Sequence, residues 1–150
     1  SFLSPDLVSI PLDAALNFGA TDSLTLEVRI QTSAEKANVS SVILSKRVVG
    51  LSQTYYIDIP GGAMPNMPSF FFGRITRKLF APTKVNDSYW HHIACVRNKE
   101  TNRLLLYVDG YLLDKVDKDI SEDLTNTKSL FIGTHLFSMS DVFDGEIDEV

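Results

Sequence analysis

The sequence predicts an all-β fold, a two-sheet antiparallel β-sandwich of the jelly-roll kind. The first observation is a meander between Ser88 and Val116, in which the polar cluster 98–102 separates apolar runs at 90–96 and 104–108. The second is the pair Asp109-Gly110, which predicts a two-residue hairpin turn because both residues tolerate a positive φ. The third is spacing, since short apolar runs recur about every 8–12 residues with turn residues between them. A meander this apolar requires a second sheet to cover it.

The remaining elements follow from local patterns. Residues 24–30 alternate apolar and polar side chains, which is typical of a strand with one buried face. Further strands are expected at 42–44, 55–59, 69–72, 76–80, 104–108, 111–116, 130–132 and 146–150. Gly73 is expected between the strands of a hairpin, and one short helical turn is expected at 120–124. Trp90 begins the central strand of the meander, and we expect its indole in the core.

The chain also resembles a known family. The segments W-H-H-I-A-C-V-R (90–97), L-Y-V-D-G (106–110) and F-D-G-E-I-D-E-V (143–150) are similar to the laminin-G-like and pentraxin-like branch of the concanavalin A-like lectin/glucanase superfamily. The early segments V-S-I-P (8–11), L-N-F (16–18), S-L-T-L-E-V (23–28) and I-L-S-K (43–46) match that family's opening strands in order. This fold hosts lectins, adhesion modules and glycosidases, so the resemblance specifies fold better than function.

The resemblance implies a non-catalytic recognition module that binds a glycan or a protein partner within a larger extracellular or surface protein. The alternative is a structural or assembly domain of a surface layer or virion, as in a capsid or tail protein. A glycoside hydrolase is a distant third interpretation. Secretion or the cell surface is the implied location, with the virion as the alternative.

Composition sets further bounds. A chain of 150 residues predicts one domain, 1–150. It starts at Ser1 and stops at Val150 within a predicted strand, so we expect it to be excised from a longer polypeptide with other domains. The net charge of −5 argues against a nucleic-acid partner, and membrane insertion is not expected because no apolar run approaches the length of a span. Cys95 is the only cysteine, and we expect it to be a small core hydrophobe.

The last strand carries a candidate catalytic pattern. Retaining glucanases of the superfamily place three carboxylates on one face of an E-x-D-x-E strand. Here Glu146 and Asp148 share a face, Val150 stands at the third position, and alternation points Glu149 away. The order also differs, because in the glucanases the carboxylate strand precedes the Y-V-D-G hairpin. We therefore expect no hydrolysis.

Metal binding has a weak and a stronger candidate. His91 and His92 are adjacent in a strand, so their imidazoles diverge and are poorly placed to chelate one metal. Related laminin-G-like and pentraxin domains often bind calcium at the rim of the sandwich, and calcium is the candidate cofactor here. Asp141 and Asp144 lie in the loop before the last strand and are the candidate ligands, with loop carbonyls completing the shell. The alternative is a solvated acidic loop.

A sugar site needs aromatic faces beside polar groups. The candidate ligand-binding residues are Tyr55, Tyr56, Tyr107, Tyr111, Arg74 and Arg77. The two arginines could pair with an anionic glycan or a partner's carboxylate, or could be hairpin charges in water. The run 70–72 is three phenylalanines and is expected to be core on both faces.

Overall fold

The computed structural model describes residues 7–35, 38–48, 53–62, 65–73, 78–117, 122–134 and 141–150. Within these ranges the fold is built of strands. They are β1 (Val8–Ile10), β2 (Leu24–Gln31), β3 (Ser41–Lys46), β4 (Tyr55–Ile59), β5 (Ser69–Phe72), β6 (Lys78–Phe80), β7 (Trp90–Asn98), β8 (Arg103–Val108), β9 (Tyr111–Asp117), β10 (Leu130–Ile132) and β11 (Glu146–Asp148).

The strands form two sheets with antiparallel pairing between neighbours, which confirms the predicted sandwich. One sheet has the order β1-β10-β3-β4-β5-β6 and the other β11-β2-β7-β8-β9. Each sheet turns its apolar face inward. The core between them includes Val28, Ile57, Phe72, Ile93 and Leu106, all fully buried. Burial of this apolar area is the main stabilising term for such a fold.

The predicted meander and its turn are confirmed. Strands β7, β8 and β9 are neighbours in one sheet, and Val108 pairs with Tyr111 across the two-residue turn. The turn residues Asp109 and Gly110 have φ of 51° and 82°, the left-handed values that a type I′ hairpin needs. The Asp109 carboxylate also accepts a hydrogen bond from the His92 backbone N–H at 2.8 Å. The turn is therefore tied to the first strand of the meander as well as closing the other two.

The expectation for Trp90 is wrong. The register places Trp90 opposite Gln31 on the outer face of the five-stranded sheet, and the residue is 38% exposed. The Arg29 guanidinium lies over the indole, 5.5 Å from the ring centroid. Alternation from the buried Ile93 places position 91, rather than position 90, on the inner side of β7.

The predicted Gly73 hairpin is present where the structure describes it. Strands β5 and β6 pair from Ser69–Phe80 to Phe71–Lys78, and Gly73 has φ of 69°. All three phenylalanines of β5 are buried, as expected. Two of them, Phe70 and Phe72, belong to the core cluster, whereas Phe71 points to the opposite face of its sheet.

The helical turn predicted at 120–124 falls partly outside the described residues, and residues 122–124 have no helical structure. A 3-10 turn that the sequence reading missed occupies Ala14–Leu16. Its cap is Asp13, whose carboxylate accepts a hydrogen bond from the Ala15 N–H at 2.8 Å. In the part of the chain that the structure describes, no helix is long and apolar enough to span a bilayer.

Two fully buried cations fasten loops at one end of the sandwich. Lys46 of β3 donates from Nζ to the side-chain oxygens of Asn17 at 2.6 Å and Asn126 at 3.1 Å. Arg97 of β7 donates to the carbonyls of Gly19 at 2.8 Å and Glu122 at 3.0 Å. Desolvation by burial lowers the pKa of Lys46. Each sheet therefore contributes one cation that binds both the loop after β1 and the loop before β10.

The segment 141–145 crosses from one sheet to the other. At its start the Asp141 carbonyl accepts a hydrogen bond from the Val42 N–H at 2.9 Å, beside the six-stranded sheet. Near its end the Asp144 carbonyl accepts a hydrogen bond from the Thr32 hydroxyl, just past β2 of the five-stranded sheet. Phe143 between them is buried in the core. Asp141 and Asp144 are thus fastened to different sheets by their backbones.

Candidate functional site

The outer face of the six-stranded sheet carries side chains that are unusually buried for an outward-facing set. The register pairs Val42 with Asp58 and Asp58 with Ser69, while their neighbours in sequence on β4 and β5 face the core. The outward-facing side chains include Phe71 (6% exposed), Val42 (3%), Asp58 (2%), Ser45 (1%) and Ser69 (0%). On an open sheet face the polar members of this set, Asp58, Ser45 and Ser69, would be solvated. These five residues and Tyr56 form the floor of a concavity that we call the outer cleft.

The outer cleft contains a small pocket. Its volume is about 60 Å³, enough for one functional group of a ligand rather than for a whole drug-sized molecule. The lining residues are Ser40, Val42, Ser45, Arg47, Tyr56, Asp58 and Asp141. The pocket therefore combines one tyrosine ring with its phenol, one guanidinium, two carboxylates and two serine hydroxyls.

Asp58 is a carboxylate at the cleft floor with a built set of partners. The Ser69 hydroxyl donates to one of its oxygens, and the Lys78 ammonium lies 3.0 Å from the other. Burial raises the pKa of Asp58, and the positive charge of Lys78 opposes that rise. A buried, partnered and perturbed carboxylate in a concavity marks a candidate functional site.

Tyr56 provides the aromatic surface of the pocket. Its ring stacks on Phe71 with centroids 4.6 Å apart and planes at 7°. Two cations lie over the same ring, the Arg47 guanidinium at 5.7 Å and the Lys78 ammonium at 5.5 Å from its centroid. Desolvation raises the pKa of the Tyr56 hydroxyl, with the Asp58 charge adding to the rise, so the phenol stays neutral and can donate or accept. Stacking on Phe71 restrains the Tyr56 ring.

Arg47 differs from the other charged groups of the pocket. It follows the last residue of β3, it is half-buried, and its guanidinium contacts the Tyr56 ring. Among the described residues no carboxylate or carbonyl is hydrogen-bonded to that guanidinium, whereas the Asp58 carboxylate is bound by Lys78 and Ser69. Arg47 thus presents its N–H donors to the pocket.

The structure brings two of the sequence-predicted site residues together and separates the others. Tyr56 and Asp141 both line the pocket. Tyr55 is fully buried on the core side, where its hydroxyl donates to the Leu16 carbonyl at 3.1 Å, so its predicted role as a ligand contact is incompatible with this burial. Tyr107 and Tyr111 belong to the five-stranded sheet, remote from this face. The arginines predicted at 74 and 77 lie outside the described residues.

The calcium prediction remains untested. Asp141 lines the outer cleft and Asp144 is exposed near the other sheet. In the part of the chain that the structure describes, no group of three or more His, Cys, Asp or Glu side chains could hold a metal ion. Two carboxylates with loop carbonyls stay the predicted ligand set.

The carboxylates of the last strand lie on the edge of the five-stranded sheet, away from the outer cleft. Glu146 pairs with Gln31 and Asp148 with Arg29, and both carboxylates are exposed. Glu149 departs from the expected alternation, because the strand ends at Asp148 and Glu149 has φ of 50°. Its carboxylate lies 3.6 Å from the Arg29 guanidinium. The alternation that was expected to point Glu149 away from the face of Glu146 and Asp148 therefore does not extend to this residue.

The two histidines diverge, as predicted. The His91 ring bridges two carboxylates, with Nδ1 2.7 Å from Asp109 and Nε2 3.0 Å from Asp87, while His92 Nε2 lies 3.2 Å from Glu27. Burial lowers the pKa of His91, but its hydrogen bonds to Asp109 and Asp87 and their charges outweigh that effect and raise it above the usual value. This arrangement ties the loop before β7 to the β8–β9 turn.

Comparison with known proteins adds a family and a set of folds. A family model described as the concanavalin A-like lectin/glucanases superfamily matches residues 6–150. No curated protein sequence matches the chain. Among solved structures, a candidate carbohydrate-binding protein from Bacteroides ovatus ATCC 8483 superposes with a TM-score of 0.74 and 19% identity, over 95% of this chain and 39% of that one.

Two other structures share the fold. The CBM40 module of the Ruminococcus gnavus IT-sialidase has a TM-score of 0.65 and 17% identity over 85% of this chain and 74% of that one. Domains LG4-5 of the mouse laminin α1 chain have a TM-score of 0.65 and 16% identity over 95% of this chain and 36% of that one. At these identities the likeness establishes the fold alone, and the chain spans well under half of the Bacteroides and laminin chains.

Proposed function

The chain belongs to the concanavalin A-like lectin/glucanases superfamily, in its laminin-G-like branch, and from this premise we propose that it is a non-catalytic module that binds a glycan in the outer cleft. The observation that carries the proposal is the pocket, where the rigid Tyr56 ring faces Arg47, Asp141 and two serine hydroxyls. Sugars are recognised by an apolar ring face together with donors and acceptors for hydroxyl groups.

The fold relatives support a glycan as the ligand class. The Ruminococcus gnavus CBM40 module was solved bound to α2,3 sialyllactose. Its fold matches this chain with a TM-score of 0.61 at 15% identity in that complex. The likeness is limited to the fold, so the choice of a glycan for this chain rests on the pocket chemistry and not on matched residues.

The non-catalytic part of the proposal rests on where the carboxylates lie. Glu146 and Asp148 are exposed on an edge strand, whereas a glycosidase must hold its acid and nucleophile within a substrate cleft at different pKa values. Of the two carboxylates that line the pocket, Asp58 is already bound by Lys78 and Ser69. Incubation with a β-glucan panel should release no reducing sugar, and release that Glu146→Gln abolishes would overturn this part.

The proposed setting is a secreted or cell-surface polypeptide, with the module joined to other domains. Glycans and surface proteins are the partners available there, and a virion surface is the alternative setting. The alternative function, assembly with sister subunits, has one observation in its favour. The outer face of the five-stranded sheet presents exposed Trp90 and Leu112 with half-buried Tyr107 between their strands, and exposed apolar groups of this kind can form an interface.

Glycan-array screening followed by NMR titration tests the proposal and its location. We expect a glycan ligand whose addition shifts the amide signals of β3 and β4, and we expect Tyr56→Ala to abolish binding. Tyr107→Ala is the matched control, since it removes a half-buried tyrosine from the outer face of the other sheet and should leave binding intact. Far-UV and near-UV circular dichroism should show both variants folded. Absence of any glycan ligand, or signal shifts confined to the Tyr107 face, would refute the proposal.

A further inference from the structure

We propose that the sugar bound in the outer cleft carries a single carboxylate and that Arg47 is the residue that selects it. This inference rests on the proposed function and specifies its ligand. Arg47 is the pocket cation whose N–H donors have no acceptor among the described residues, and its guanidinium is positioned on the Tyr56 ring. A guanidinium offers a planar fork that matches a carboxylate with two parallel hydrogen bonds.

The other cation of the cleft does not have this freedom. Lys78 lies 3.0 Å from the Asp58 carboxylate, and its side chain is 19% exposed. The Ser69 hydroxyl donates to the same carboxylate. The charge of Lys78 is therefore already matched inside the protein. Among the described lining residues of the pocket, Arg47 is the cation whose guanidinium has no hydrogen-bonded acceptor, and its charge also acts on the Asp58 carboxylate.

The charged groups of the pocket limit how much negative charge a ligand can bring. Asp58 and Asp141 line the same space of about 60 Å³ as Arg47, and Arg47 is the only cation among the described lining residues. A second anionic group on the ligand would therefore find no cation of its own there, whereas hydroxyl groups can exchange hydrogen bonds with Ser40. The arrangement fits one carboxylate at Arg47 with hydroxyls beside it, as in a uronic or sialic acid unit, and disfavours a polysulfated chain.

Arg47 acts on ligand choice and not on folding. The guanidinium makes one cation–π contact and a charge interaction with Asp58, which Lys78 and Ser69 already bind, so its loss removes little from the folded state. Arg29 provides a matched control on the opposite sheet. It too stacks on an aromatic ring, that of Trp90 at 5.5 Å, and it is solvent-accessible and away from the outer cleft.

The test compares acidic glycans with their own carboxyl-reduced forms. Sialyllactose, oligogalacturonate and hyaluronan oligomers are each titrated calorimetrically beside the reduced glycan, with a heparin oligomer as the polysulfated arm. We expect at least one acidic glycan to bind about tenfold or more tightly than its reduced form, because charge-assisted hydrogen bonds contribute this much. Arg47→Gln should abolish that preference, Arg47→Lys should retain part of it, and Arg29→Gln should leave it unchanged.

The outcomes separate this inference from the proposed function. Equal affinity for acidic and reduced glycans, with cleft signals still shifted by NMR, would overturn the carboxylate and leave glycan binding in place. Tighter binding of the heparin oligomer than of every carboxylated glycan would also overturn it. A preference for acid that survives in Arg47→Gln would remove Arg47 from the role. Failure of the whole panel and of the array would overturn both proposals together.

Discussion

Two glycines in left-handed turns allow backbone strain to be separated from steric clash. Gly110 has φ of 82°, and a Cβ built there meets nothing within 4 Å. Gly73 has φ of 69°, and a Cβ built there would overlap the Glu122 carboxylate. Both residues sit in hairpin connections, at β8–β9 and β5–β6. Substitution by alanine imposes the same backbone cost at both positions but adds a clash at only one.

The expected magnitudes follow from these contacts. Gly110→Ala should lower the free energy of unfolding by about 1–2 kcal/mol, the cost of holding an L-residue in the left-handed region. Gly73→Ala should cost this amount and about 0.5–1.5 kcal/mol more, because the overlapping atoms are the end of the flexible, half-buried Glu122 side chain, whose carboxylate must leave its interactions. For a domain of this size each kcal/mol corresponds to about 2–4 °C in Tm.

Urea unfolding followed by fluorescence gives both values, with unchanged m-values as the check on two-state behaviour. The double variant Gly73→Ala/Glu122→Ala supplies the cycle: relative to Glu122→Ala alone, the added alanine at 73 should cost no more than Gly110→Ala does. Equal losses in the two single variants, or a neutral Gly110→Ala, would contradict the reasoning. The first result would mean that Glu122 moves without cost, and the second that the turn relaxes to a negative φ.

Three further predictions concern charge and exposure. His91 should titrate above its usual pKa of about 6.5 by NMR, so the stabilisation it provides relative to His91→Asn should be complete below that pH and lost as pH rises through the folded pKa; a flat difference across pH 5–8 would contradict this. Trp90→Ala should cost only about 1–2 kcal/mol, because the indole is partly exposed and stacked on Arg29, and a loss typical of a core tryptophan would return it to the interior. Millimolar calcium should raise Tm relative to EDTA, less so in Asp141→Asn and Asp144→Asn, and coincident wild-type midpoints would remove calcium from the account.

The fold was predictable because its signals are local. Alternation in β2, the Asp109-Gly110 turn and the spacing of apolar runs are each readable within about ten residues and agree with the sandwich observed. Trp90 shows the limit of this reading. When a strand has apolar side chains on both faces, its sequence does not show which alternate residues face the core. A shift of one residue then moves a side chain to the opposite face.

The candidate site was harder to predict because it depends on register between strands distant in sequence. Alternation alone places Tyr56 and Asp58 on one face, but only the β3–β4 pairing, shifted by an irregularity between Val42 and Leu44, brings Ser45 beside Tyr56. Arg47 was not among the predicted site residues, because its position over the Tyr56 ring depends on the tertiary structure. Tyr55 was misassigned for the related reason that adjacent tyrosines in a strand face opposite ways.

The buried cations Lys46 and Arg97 determine which parts of this scaffold a protein engineer can vary. A library that randomises the loop carrying Asn17 and Gly19, or the stretch carrying Glu122 and Asn126, would in most of its members leave a buried positive charge without its hydrogen-bond acceptors. The turn at 98–102 supplies none of the acceptors that bind these two cations, and the same holds for the cleft lip, by which we mean the part of the outer cleft around Ser40. Both can therefore be varied. New specificities are therefore best selected at the cleft lip, with the cation-bound end of the sandwich held constant as the part that keeps every library member folded.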